Sequence, residues 1–505
     1  MKQSRKRLLA ALACAAMLLT GCQSGKGVPA HSTLPPPEAA AVVPQNDTQQ
    51  TAEQTVLLYL PSRDSLRLAA VPETAHLSIS RHSAESLCQL LFAHPGNEQV
   101  SPLGADVQLS GTQPVEVSGE VATVSLAASA LRLSHEELFT VCQAIANTLC
   151  QFGDVQYVNV LINGVQPGLD VAAKLPAGCF QENTRDDLNT LWNRAAAGKT
   201  ASRHTITAAL YYPAAGARGV VSEARALSFD GLEEAQVLRT LLSALYEGPH
   251  SLQGLPRYPD FSEFIVKEPA VMDDSGTKRA VLYFDTALNA AIIENGITRS
   301  VMVASLVYTI TTFMPGVQAV EIHIGEETIM SLTPSATFTG AGETIAFENG
   351  WMKRSDFSGF LLSDCVLYFA NGEGKLQKVY RMVPFHESRN VRTVINQLML
   401  SSQPNDSVEK LGAVLPEGLR DADLIGVAFA EQTLILNFSG NLKTLCEGMD
   451  EDNERRMIYA IVNSLCELQG VKQVQLLVDG SQPESLAGTI YLPGKFFSNP
   501  DIVSP

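Results

Sequence analysis

Apolar residues fall along the chain in a set of strand-like runs and helical stripes that comes round three times. Each round opens on a short apolar run of strand length: Val56-Leu57-Leu58-Tyr59-Leu60-Pro61, Ala208-Ala209-Leu210-Tyr211-Tyr212-Pro213 and Cys365-Val366-Leu367-Tyr368-Phe369-Ala370. The tyrosines stay in step at 59, 211 and 368, giving a period of roughly 155 residues. A polar, hairpin-like excursion separates each run from a helix, with N-caps expected at Ser83, Asp230 and Asn390. These helices carry Leu87, Leu90 and Leu91, then Val237, Leu238 and Leu241, then Val394, Ile395 and Leu398, and each ends near Gly or Pro.

A strand pair follows, its second member alternating with period two. Ala122, Val124 and Leu126 match Ala280, Leu282 and Phe284, and these match Leu434, Leu436 and Phe438. A second helix then starts, in copy one, on the capping box Ser134-His135-Glu136-Glu137. Its stripe is Leu138, Cys142, Ile145, Leu149 and Phe152, answered in copy three by Ile458, Ile461, Leu465 and Leu468. Last strands begin at Val155, Val317 and Val471 and stop at the turn signals Asn163-Gly164, Gly325 and Asp479-Gly480.

The order predicts an α/β fold of the α+β, two-layer kind: three tandem β-α-β-β-α-β domains, each a sheet with helices packed on it. The expected boundaries are 55–176, 204–330 and 362–485, with linkers at 177–203 and 331–361 and a C-terminal tail at 486–505.

The amino terminus is organised differently. Lys2, Arg5, Lys6 and Arg7 precede an apolar stretch from Leu8 to Leu19 that is too short to span a bilayer as a stable helix. It ends in Leu19-Thr20-Gly21-Cys22, which resembles the lipobox of bacterial lipoproteins. The resemblance implies a signal peptide over 1–22 and a lipid attached to the Cys22 thiol; an ordinary secretory signal with an incidental cysteine is the alternative. Residues 23–54, rich in Ala, Pro, Gln, Ser and Thr, read as a flexible tether. The membrane would then be reached through the lipid on Cys22, from the outer face of the bacterial cytoplasmic membrane.

Charge supports that division. The formal charge of −17 over 505 residues repels nucleic acid and anionic lipid, so no nucleic-acid partner is expected and a basic membrane patch is excluded. Beyond Cys22 stand Cys88, Cys142, Cys150, Cys179, Cys365, Cys446 and Cys466, an odd set without CxxC or metal-site spacing, expected to be structural and unpaired. Cys142 and Cys150, two turns apart on one helix, are too distant to bridge.

Copy three carries Ala413-Val414-Leu415-Pro416-Glu417-Gly418, Leu434-Ile435-Leu436-Asn437-Phe438-Ser439 and Asn463-Ser464-Leu465 running to Gly470-Val471. Copy one keeps Asn147-Thr148-Leu149 and Phe152-Gly153-Asp154-Val155; copy two keeps Phe313-Met314-Pro315-Gly316-Val317. These residues resemble the GerM-like (GerMN) domain of sporulation and germination lipoproteins. The resemblance covers most of residues 55–485, and copies one and two depart from it in lacking the Leu-Pro-Glu-Gly turn. It implies an envelope location, envelope protein partners and an assembly or scaffold role.

Catalytic constellations are not apparent. No HExxH, GxSxG, P-loop or dinucleotide turn occurs, so no catalytic residue, metal ligand or cofactor is assigned. His82-Ser83-Ala84-Glu85 has HxxE spacing but sits at a helix start, where Glu complements the dipole. His323 falls on the outward phase of its strand. The acidic run Asp450-Glu451-Asp452-Asn453-Glu454 lacks the EF-hand glycine and precedes a helix. Trp192 and Trp351, both between domains, read as aromatic anchors rather than sugar platforms. The expected function is a non-enzymatic scaffold or interaction protein. A ligand-binding lipoprotein for a wall fragment or peptide is the alternative, and a cell-wall hydrolase comes third.

Overall fold

A computed structural model describes residues 51–78, 83–111, 114–166, 178–197, 204–334, 342–400, 406, 411–430 and 432–504. Leu19, Thr20, Gly21, Cys22, most of the tether and His82 lie outside the described residues.

In module 1, β1 (Thr51–Pro61) pairs antiparallel with β2 (Leu68–Ser78), placing Tyr59 opposite Ala70. Helix α1 (Ala84–Ala93) follows, then β3 (Val115–Ser118) antiparallel to β4 (Val121–Leu126), helix α2 (His135–Cys150), and β5 (Tyr157–Ile162) parallel to β4. Helix α3 (Leu188–Ala197) lies beyond. The capping box at Ser134 forms in both directions, so α2 starts where its free N–H groups find the Ser and Glu side chains. Leu138, Cys142, Ile145 and Leu149 of its stripe are buried.

Module 2 repeats the scheme. Strands β6 (His204–Pro213) and β7 (Val220–Phe229) form the hairpin, followed by α4 (Glu234–Glu247), β8 (Ile265–Asp274), β9 (Thr277–Phe284), α5 (Leu288–Glu294), α6 (Arg299–Phe313) and β10 (Ala319–Ile324), with β10 parallel to β9. Three short strands follow, β11 (Glu327–Thr328), β12 (Ser331–Leu332) and β13 (Ile345–Ala346). Module 3 has β14 (Leu362–Ala370) and β15 (Leu376–Pro384), α7 (Val391–Met399), β16 (Leu424–Ala430), β17 (Thr433–Phe438), α8 (Gly440–Cys446), α9 (Glu451–Cys466), β18 (Gln473–Val478) parallel to β17, and a short β19 (Phe496–Phe497).

The period-two positions decide which face is inside. Ala122, Val124, Leu126, Ala280, Leu282, Phe284, Leu434, Leu436 and Phe438 are all 0% exposed. Burying one such leucine or phenylalanine contributes about 1.5–3 kcal/mol, and each module gathers its own core around these strands. At Asn163-Gly164 and Asp479-Gly480 both residues have positive φ, the geometry of a tight type I′ turn that Asn, Asp and Gly accept.

The fold class is as expected, α+β in repeated modules, and its detail is richer. The polar excursions are themselves strands: β2, β7 and β15 complete two-stranded hairpins that form sheets separate from the three- and four-stranded ones. Module 1 therefore runs β-β-α-β-β-α-β, and modules 2 and 3 add a short helix, α5 or α8, before the long one. These strands escape a search for apolar runs because one face is wet; in β2, Ala75 and Leu77 are buried while Pro72, Thr74 and His76 are exposed. Asp230 is not an N-cap: buried Phe229 ends β7, Gly231 and Leu232 carry the chain across, and α4 begins at Glu234 with Glu233 in the cap position. Ser83 stands at the cap position of α1 but makes no capping bond, whereas Asn390 accepts from the Arg392 N–H.

The segments between modules are tied to them. Phe180 pairs antiparallel with Val158, Met352 with Val320, and Phe496 with Val474, so each module's last strand gains a neighbour from the chain that follows it. The seven described cysteines are free, and all but Cys466 are buried. No single described helix is long and apolar enough to cross a membrane. Helices α5 and α6 reach that composition only as a pair bent by 101°, and α6 is buried in the core of module 2.

Candidate functional site

Each module fastens its opening strand to its long helix by a hydroxyl at the same position, and module 2 adds a second, Ser305, on the Tyr211 carbonyl. The backbone N–H of Tyr59 donates to Thr148 Oγ1 at 3.1 Å, that of Tyr211 to Thr309 Oγ1 at 3.1 Å, and that of Tyr368 to Ser464 Oγ at 3.0 Å. The residue before the hydroxyl holds the chain that follows the module. Asn147 Oδ1 accepts from the Asn183 N–H at 2.8 Å and its amide donates to the Asn183 carbonyl at 3.0 Å. Asn463 does the same with Asn499, at 2.8 and 3.1 Å. In module 2 the position is Tyr308, whose hydroxyl donates to the Phe357 carbonyl at 3.1 Å. The Asn-Thr-Leu and Asn-Ser-Leu triplets are thus a pin to the outer chain, a pin to the first strand, and a core side chain.

The seam between modules 1 and 2 is polar and buried. The tight turn joining β3 to β4 enters it with Gly119 at φ +59, where a Cβ would strike Leu361 Cδ2 at 2.5 Å. Arg354 crosses the seam: it donates to the Ser118 carbonyl at 3.1 Å and the Tyr308 carbonyl at 3.2 Å, and its guanidinium lies 4.5 Å from the Tyr308 ring centroid, which stacks on Tyr211 at 5.1 Å. Tyr157 Oη and Ser222 Oγ are 3.0 Å apart, and the Asn159 amide donates to the Thr312 carbonyl at 2.9 Å. Glu120, 1% exposed, sits among these groups with Oε1 lacking a hydrogen-bond partner. Burial pushes its carboxyl up to about 7, against the pull of Ser222, Arg354 and Tyr211 toward the ionised form.

A further seam joins modules 1 and 3. Asp154 at the helix-to-strand junction of module 1 pairs with Arg389 of module 3, which also reaches Gln469; Gln469 in turn donates to Gln54 Oε1 of β1 at 3.1 Å. In module 2 the Val220 N–H donates to the Phe360 carbonyl, in the segment that leads into β14, at 2.7 Å. Gly219 permits that approach, since a Cβ there would meet the same carbonyl oxygen at 2.5 Å. Module 1 therefore touches both module 2 and module 3 through buried hydrogen bonds and an ion pair, which set relative orientation more sharply than apolar contact alone would.

The residues singled out in the sequence are dispersed. Glu85 accepts from Gln89 one turn along its helix. His323 is half-buried, 2.7 Å from Glu321, 3.0 Å from Thr328 and stacked on Tyr283 at 4.6 Å, a structural setting. Asp450 caps α9 by accepting from the Asn453 N–H. Glu454 of the same acidic run is fully buried and accepts from the N–H groups of Leu486, Ala487, Thr489 and Ile490. Burial raises its carboxyl, but these bonds and that of the Thr489 hydroxyl outweigh burial and leave it lowered. Trp192 meets Phe139 edge-on at 5.6 Å, and Arg279 lies 5.0 Å from the Trp351 ring, so both tryptophans anchor the chain after a module. Among the described residues no group of three or more His, Cys, Asp or Glu converges as a metal site would. Sequence reading missed Glu120 and Arg354: one is a turn residue, the other lies in a segment read as a linker, and only folding brings them together.

Fold and seams define a class first: a tandem array of small α+β modules locked together through polar interfaces. Two of the three modules match the model of the Germane family, described as "Sporulation and spore germination", at residues 57–167 and 366–484. Module 2 lies outside both matches and joins the set through its strand order and its tyrosine pin. No curated protein matches the chain. Among solved structures it is similar to the tandem GerMN domains of the sporulation protein GerM from Bacillus subtilis, at 19% identity, 60% of this chain, 99% of that chain and a TM-score of 0.23. It is also similar to a putative lipoprotein from Clostridium perfringens, at 18% identity over 27% of this chain and 87% of that one, TM-score 0.19. The first GerMN domain of that GerM protein gives 20% identity over 26% and 97%, TM-score 0.19. At these TM-scores the likeness decides neither fold nor function.

Proposed function

We propose that the chain is a lipid-tethered envelope protein that works by contact, as a scaffold or interaction protein in sporulation or spore germination. The observation that carries this reading is how the recurring residues are used. The aligned tyrosines, hydroxyls and asparagines fasten each module internally, and Asp154, Arg389, Gln469 and Arg354 fasten modules to one another. A fixed three-module body presents its outer surfaces in constant relation, which suits simultaneous engagement of repeated partners. The family description supplies the link to sporulation and germination. The lipobox-like run Leu19-Thr20-Gly21-Cys22 and the stretch that follows it support a position on the outer face of the cytoplasmic membrane.

Cys22→Ala tests the tether. Wild type should fractionate with membranes, and the variant should be soluble or retained as unprocessed precursor. A processed variant that still partitions with membranes as wild type does would refute lipid anchoring.

A further inference from the structure

A cavity of about 380 Å³ opens between modules 1 and 2, away from the Glu120 seam. Its apolar wall is Leu232 and Val237 at the start of α4, with Met314 and Val317 from the helix-to-strand junction of module 2. The equivalent junctions of modules 1 and 3 face each other across a smaller cavity of about 160 Å³ and are tied together through Asp154, Arg389 and Gln469. That of module 2 faces this open space instead.

Gln166 lines the cavity from module 1. The turn at Asn163-Gly164 and the mutual Ile162–Val165 backbone bonds set its position. Its side chain is 8% exposed, yet neither Nε2 nor Oε1 has a hydrogen-bond partner. A buried primary amide with both its donor and its acceptor unmet is unfavourable. The complementary group offers one acceptor and one donor on the same side, as the N–H and C=O of one residue in an extended peptide do. At the rim stand two exposed charges of opposite sign, Glu234 and Lys278. A cavity of this size with apolar walls and few polar groups is of the kind that takes a small ligand.

We propose that this cavity binds a free di- or tripeptide bearing an apolar side chain. The Gln166 amide pairs with the N–H and the carbonyl or carboxylate oxygen of one of its residues, the apolar side chain fills the wall of Leu232, Val237, Met314 and Val317, and Glu234 and Lys278 meet its terminal ammonium and carboxylate. The proposal does not rest on the tether or the scaffold role, and its failure would leave the Cys22 fractionation result standing.

The test is calorimetric titration of the full chain with L-alanyl-L-leucine, and with its N-acetylated, C-amidated form. Free dipeptide should bind saturably and the capped form much more weakly. Gln166→Leu should weaken binding roughly tenfold, and in the absence of peptide it should melt no lower than wild type, because it replaces an unpaired amide by an apolar group. No saturable binding, or equal binding by Gln166→Leu, would overturn the proposal. Equal binding of the capped form would replace the free peptide by a segment of a longer chain. A lower melting temperature for Gln166→Leu would make the amide a structural group and refute its role toward a ligand.

Discussion

Glu120→Gln should remove a pH dependence from the seam between modules 1 and 2. The wild-type carboxyl is buried among Tyr157, Tyr211, Tyr308, Ser222 and Arg354, and burial holds it near 7 against an ordinary value of 4.5. A carboxyl raised in the folded state is protonated there when the unfolded chain has already lost its proton. The contribution of this group to stability is therefore complete below 4.5, declines as pH rises, and is lost once pH passes about 7. A shift of this size corresponds to about 3 kcal/mol, with Arg354 already included as a partial counterweight. Glutamine copies the shape and neutrality of the protonated acid, so the variant should match wild type near pH 5 and exceed it by about 3 kcal/mol near pH 8. The chain has only two tryptophans, Trp192 and Trp351, one after each of the two modules at this seam, so tryptophan fluorescence in urea reports those modules and not module 3. Parallel curves for the two proteins across this pH range would refute the assignment, as would a variant less stable at both ends.

The remaining predictions concern the pins. Thr148→Val, Thr309→Val and Ser464→Ala each leave a buried tyrosine N–H unpaired, and each should destabilise its module by about 1–3 kcal/mol, measured by urea unfolding or by amide exchange at Tyr59, Tyr211 or Tyr368; silence at any one of them would remove that module from the shared scheme. Glu454→Gln places an amide N–H₂ against the N–H donors of residues 486–490 and should expose that loop to limited proteolysis. The wild-type contribution of Glu454, whose carboxyl is lowered, is present at neutral pH and lost as pH falls below the ordinary carboxylate range; unchanged cleavage would refute the role of the carboxylate.

How far the sequence could be read follows from how local each signal is. Positions such as Val124, Leu282 and Leu436 were legible because a strand with one buried face must alternate, and all three are fully buried. The capping box at Ser134 was legible because its partners stand within one turn. The second hairpin strands were not, because their outer faces carry polar residues and Pro72, which look like loop. Asn147 and Asn463 were visible as motif letters, but their work is done at Asn183 and Asn499, far along the chain. Glu120 and Arg354 carried no pattern at all: they lie 234 positions apart in numbering and become neighbours only when two modules dock.

Action by contact is tested most directly by crosslinking in sporulating cells, with photoreactive residues at exposed apolar positions on each module such as Leu131, Ile293 and Tyr491. Discrete adducts with envelope proteins are predicted from wild type, and they should vanish when Cys22→Ala removes the tether. Adducts with no envelope protein from any of these positions, together with release of muropeptides from cell wall by the purified chain, would contradict it.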